Sequence, residues 1–205
     1  MRKLIRKIIY KLYVIGKFEA DKVAALARKK EIMSKAVVAP STVISSDSLI
    51  YNETGDNTKI QIGENCLVRG SLLVYNHGGN ITIGDDCFIG EDTRIWSASK
   101  ISIGSRVLIS HNVNVHDNNS HPLSSNERHV DFREIFKSGL REKANYNEKP
   151  IVIEDDVWIG FNSTIMKGVR IGRGAIIGAC TLITEDVAPF SIMAGNPPRL
   201  IKFTD

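Results

Sequence analysis

The chain has 205 residues, 42% of them hydrophobic and 24% charged, enough for one sizeable core and unlike a disordered tail or a membrane protein. Its formal charge of +4 is uneven: residues 1–35 hold 11 Lys and Arg against 3 Asp and Glu, and residues 36–205 hold 16 against 20. A basic arm (+8) on a mildly acidic body (−4) excludes a whole-domain nucleic-acid footprint, so no nucleic-acid partner is expected.

In residues 1–35, Leu4, Ile5, Ile8, Ile9, Leu12 and Tyr13 recur at helical spacing, with Lys3, Lys7 and Lys11 on another face. Gly16 is expected to end this run, and residues 18–34 read as a second, Ala-rich helix. Two roles fit the segment: a helix packed on or capping the body, or peripheral contact of residues 1–15 with anionic lipid at the inner face of the cytoplasmic membrane. Arg6, Lys7 and Lys11 interrupt the apolar run, leaving neither a signal-peptide core nor a membrane span. Cys66, Cys87 and Cys180 form no CxxC and read as reduced, small, buried residues of a cytoplasmic protein.

Residues 36–205 form the second domain, and a period of six governs it. Aliphatics stand at Ile153, Ile159, Ile165, Ile171, Ile177 and Ile183, each followed four residues later by a small or β-branched residue, from Val157 and Ser163 to Thr181 and Val187. Upstream the hexads come in triplets: Ile62, Val68, Val74; Ile83, Ile89, Ile95; Ile103, Ile109, Val115, with a weaker start at Ile44 and Ile50. Period six cannot make a helical stripe. It suits short strands and tight turns wound into about five 18-residue coils, a mainly β, parallel β-helix with a ragged sixth coil.

The pattern stops after Val115 and resumes at Ile151, so residues 117–150 must project as a long polar loop, and a tail at 188–205 follows the last coil. Four of the five histidines, His111, His116, His121 and His129, lie in or beside this loop. An imidazole suits general base work near neutral pH. Asp117 is four residues from His121 and could orient it; His116 could line the same cleft; His129, among charges, reads as a solvated residue.

The hexads, the VWIG at 157–160 and the AGNPPRLIK at 194–202 resemble the hexapeptide-repeat acyltransferases over residues 60–203, and are most similar to sugar and polysaccharide O-acetyltransferases. The resemblance implies a left-handed β-helix, a homotrimer with active sites between subunits, and acetyl-CoA as donor, with no metal. It implies His121, in the His-Pro at the start of the loop, as the base that deprotonates a sugar or polysaccharide hydroxyl for direct attack on the thioester. Trp158 matches the tryptophan beside the transfer site. Gly160, Gly178 and Ala179 match backbone contacts to the pantetheine arm, and Thr184, Arg199 and Lys202 match positions nearer the nucleotide. Two departures stand out: Glu185 follows Thr184 where lysine is usual, and Gly90 occupies the place of an acceptor-pocket asparagine, beside Glu91 and Asp92. N-acetylation of an amino sugar or a nucleotide-linked amino sugar is the alternative. A remote one is a γ-type carbonic anhydrase, because His111 and His116 have zinc-ligand spacing, although counting back two coils for a third ligand reaches Gly70.

Overall fold

The computed structural model describes residues 2–139 and 146–204, with side chains for all of these except 2–5, 8, 9 and 12. The chain divides into two units, Met1–Ser34 and Lys35–Asp205. The first is helix α1, assigned over Arg2–Lys35 without a break. Gly16 therefore does not end the helix. A glycine inside a helix costs only about 1 kcal/mol relative to alanine, less than its neighbours supply. The apolar stripe of Leu4, Ile5, Ile8, Ile9 and Leu12 lies outside the described side chains. No described helix is long and apolar enough to cross a membrane.

The second unit is a left-handed β-helix of six coils. Its three parallel faces, A, B and C, contain six, eight and six strands, the last two strands of face B forming an antiparallel C-terminal hairpin. The hexad positions stack in register. On face A, Ile62, Ile83, Ile103, Ile153 and Ile171 pair in succession. On face B, Ile44, Val68, Ile89, Ile109, Ile159 and Ile177 do the same. All of the small or β-branched residues expected from Val157 to Val187 point inward and are buried. Each coil thus adds one aliphatic layer to a continuous core, which replaces the water a lone coil would leave on its apolar face.

Face C departs from the expected register once. Ile95 pairs with Leu72, and Val74 pairs with Ser97. The corner between faces B and C is two residues shorter in this coil, so the inward layer is reached at Leu72. Gly70 permits the short corner: a Cβ there would lie 2.5 Å from the Thr93 carbonyl oxygen.

The corners also correct the reading of Cys180. Cys66 and Cys87 are buried, but Cys180 is exposed with φ +58°, in the left-handed corner position that Asn112 and Asn162 fill in earlier coils. The inward slot beside it belongs to Thr181. Burial pushes the Cys87 thiol up to about 12, with Cys66 nearby adding to the effect. Alkylation of the native chain at neutral pH should therefore label Cys180 first and leave Cys87 unmodified, a pattern readable by mass spectrometry; fast labelling of Cys87 would contradict it.

Candidate active site

The chain leaves the solenoid after the face C strand Asn114–His116 and returns at Ile151–Ile153. Asp117 ties the neck of this excursion. Its fully buried carboxylate accepts from Ser97 Oγ (2.6 Å), Ala98 N (2.8 Å) and Ser99 N (2.9 Å), and its backbone carbonyl accepts from Lys149 N. Asn119 N donates to the Tyr146 carbonyl across the same neck. Asp117 is thus a structural anchor, and its carboxylate is already committed, so it does not orient His121.

The excursion is not all loop. It holds α2, Ser125–Ser138, capped by the Ser124 side chain accepting from Glu127 N and closed by Gly139 at φ 71°. This helix folds back over the His-Pro turn and brings Asp131, ten residues along, to His121: Nδ1 of His121 lies 2.9 Å from Oδ2 of Asp131. Tyr146, fully buried, donates its hydroxyl to the other carboxylate oxygen at 2.6 Å. His77 packs its ring against Tyr146, with centroids 5.1 Å apart. A carboxylate that accepts from both sides keeps a proton on His121 Nδ1, which leaves Nε2 with its lone pair. The His121 side chain is 46% exposed and the Asp131 side chain 4%, so an accessible imidazole is held by a buried partner.

His121 lies in a cleft of about 590 Å³ whose other walls include Asn118, Ser120, Leu123 and Arg128. Its floor is the outer surface of face C, where Asn114 and His116 pair with Thr164 and Met166. Arg128 secures the turn by donating to the carbonyls of Pro122 and Leu123. His116 stacks on Trp96 with ring centroids 4.9 Å apart, and its Nε2 is buried with no hydrogen-bond partner among the described residues. Burial holds this imidazole below its ordinary range; Asp117 opposes the shift and Arg94 adds to it.

A depressed histidine pKa has a definite sign in stability. Below about pH 6.5 the unfolded chain takes the proton before the folded one does, so stability is lost as pH falls through this range. Denaturant unfolding should show a smaller loss between about pH 7.5 and 5.5 in His116→Gln than in the parent. An equal loss in both would contradict a neutral His116.

The remaining candidates divide by face. Glu91 pairs with Arg69, Asp92 holds a left-handed corner, and neither lines the cleft. On face B, the pairing runs Trp158 to Ile176, Ile176 to Ile192 and Ile192 to Lys202, which places Trp158 and Lys202 in one row. Arg199 stands opposite Ala194 in the hairpin, and Thr184 is exposed after the last face C strand. Gly178 and Ala179 lie at the corner from face B to face C. Gly160, at the corner one coil earlier, is required by packing, since a Cβ there would meet Ala179 N at 2.6 Å. The equivalent contact at Gly90, 2.6 Å to His111 N, accounts for its glycine too. Within one chain, none of Trp158, Gly160, Gly178, Ala179, Thr184, Arg199 and Lys202 lines the His121 cleft. His129 is exposed on α2. His111 stacks on Phe161 in a corner, apart from the Trp96 partner of His116, and no group of three or more His, Cys, Asp and Glu suited to a metal occurs among the described residues.

Comparison with known proteins matches two family descriptions: "Bacterial transferase hexapeptide (six repeats)" over residues 150–185 and "Hexapeptide repeat of succinyl-transferase" over residues 80–115. The galactoside O-acetyltransferase of Escherichia coli (strain K12) is 31% identical over 163 residues, 80% of this chain and 70% of that enzyme. The galactoside O-acetyltransferase of Lactococcus lactis subsp. lactis (strain IL1403) is 30% identical over 142 residues, 69% of this chain but only 61% of that enzyme. A crystal structure of AntD, an N-acyltransferase from Bacillus cereus, in complex with dTDP and 3-hydroxybutyryl-CoA, superposes with a TM-score of 0.68 at 23% identity, covering 88% of both chains. At that identity the likeness concerns the fold.

Proposed function

The chain belongs to the hexapeptide-repeat acetyltransferases, and from this premise we propose that it moves an acetyl group from acetyl-CoA to a hydroxyl of a sugar or surface polysaccharide. The observation that carries the reading is the His121 imidazole, open to a cleft and held through Nδ1 by Asp131. His121 Nε2 takes the proton of the acceptor hydroxyl as that oxygen attacks the thioester carbonyl. When the C–S bond breaks, the imidazolium returns the proton to the departing sulfur. Asp131 keeps its charge throughout and stabilises the imidazolium, as its short contact allows. The steps balance without a covalent enzyme intermediate.

The face B row from Trp158 to Lys202, with the corner at Gly178 and Ala179, supports a donor site for acetyl-CoA, whose phosphates Arg199 and Lys202 would meet. Face B also carries a continuous outward ladder of Val43, Leu67, Phe88, Leu108, Trp158 and Ile176. Val43 is 57% exposed and Leu108 49%, and an uncovered apolar ladder of this length supports a homotrimer. For α1, exposed Tyr10, Tyr13 and Phe18 beside Lys11 and Lys17 support peripheral contact with an anionic membrane surface.

An acceptor screen tests the function. Incubation with acetyl-CoA and a panel of sugars and surface oligosaccharides should yield free thiol and acetylated sugar in equal amounts, the acetyl group leaving in mild base as an ester does. A base-stable amide on an amino sugar would instead establish N-acetylation, and the absence of any acetylated product across the panel would contradict the reading.

A further inference from the structure

We propose that the outer surface of face C is an extended groove that binds a glycan chain, with the His121 cleft at its reacting end. The proposal rests on the acetyl-transfer reading and adds how the acceptor is held. Two columns of side chains run along this surface. One, largely aromatic and apolar, passes from Tyr51 through Leu73 and Trp96 to His116 and Met166 in unbroken cross-strand register. The other starts at Leu49 and is polar from there on, through Ser71, Arg94, Asn114 and Thr164. His116, Met166, Asn114 and Thr164 are also the floor of the cleft, so the columns lead out of it without a step.

This pairing of columns matches the chemistry of a sugar. A pyranose has C–H faces that lie on aromatic and aliphatic surface and hydroxyl edges that need hydrogen-bonding partners. Strand spacing of roughly 4.8 Å carries the groove about 19 Å from Met166 to Tyr51, several sugar units rather than one. Tyr51 is 46% exposed, far from the reacting end, and Trp96 is half-buried beside His116.

The other faces present different surfaces. The row on face B is apolar from Val43 to Ile176 and reaches a charged residue only at Lys202 of the C-terminal hairpin, and the outward residues of face A are Gln61, Thr82, Ser102, Val152 and Arg170, with no aromatic among them. Only face C combines rings with hydrogen-bonding groups and ends at His121.

The experiment uses the full chain on a printed glycan array of bacterial surface-type chains one to six sugars long, alongside Tyr51→Ala and Leu73→Ala, which lie away from the cleft. The parent should bind longer chains at least tenfold better than single sugars, and both variants should lose that gain while keeping the far-ultraviolet circular dichroism of the parent. Equal binding of short and long chains, no binding of any chain, or an unchanged profile in both variants would overturn the groove. Acetyl transfer to a single sugar with no dependence on chain length would leave the transfer reading standing and remove the groove. Length-dependent binding with no acetylated product would do the reverse.

Discussion

Replacing His121 with alanine is expected to lower acetyl transfer by roughly 10²–10⁴-fold, the usual worth of a positioned general base, with the fold unchanged. The side chain is 46% exposed and stands on a turn outside the solenoid, so its loss removes no layer of the core. The loss should fall on kcat, because the proton moves as the carbonyl is attacked, and the KM for acetyl-CoA should change little. Thiol release with an acetylated sugar as product measures it. Activity within a factor of two of the parent would assign the base elsewhere, with His116 the next imidazole in the same cleft.

The second large effect is expected from Asp131→Asn. The substitution keeps size and removes the charge that faces Nδ1, so the imidazole can adopt the wrong tautomer and the imidazolium loses its partner. A loss of at least about tenfold, smaller than that of His121→Ala, is expected, by analogy with other groups that orient a functional histidine. Tyr146→Phe removes one of the two donors to the same carboxylate and should cost less than tenfold in rate, with about 1.5–3 kcal/mol of stability lost for the charged hydrogen bond. A positioning role predicts that Asp131→Asn changes the pH profile of kcat as well as its height. A fall in height alone, matched by lost stability, would make Asp131 a structural residue.

The solenoid was legible because its determinant is local: every sixth side chain is aliphatic, and the layers Ile83, Ile103, Ile153 and Ile171 follow from counting. The slip at Val74 was not, because the length of a corner depends on how closely Gly70 approaches the coil above it. The helix in the projecting segment left signals that could have been read, Ser124 with Glu127 at capping spacing and Gly139 behind them. Its short, polar sequence carries little hydrophobic periodicity, so by pattern alone the segment reads as loop. Without that helix, nearness in sequence favours Asp117 as the partner of His121. The fold sends Asp117 inward to tie the neck and brings Asp131 round instead. Tyr146 enters from the far side of the segment, a contact that no local pattern encodes. The row joining Trp158 to Lys202 likewise depends on the register of the C-terminal hairpin.

The proton on His121 is the feature from which the chemistry follows, and it can be observed without knowing the acceptor. Long-range ¹⁵N–¹H correlation on histidine-labelled protein near pH 8, assigned by His121→Ala, reports which ring nitrogen carries hydrogen. The His121–Asp131 contact predicts hydrogen on Nδ1 and a bare Nε2, with the preference lost in Asp131→Asn. Hydrogen on Nε2 in the parent chain would contradict it.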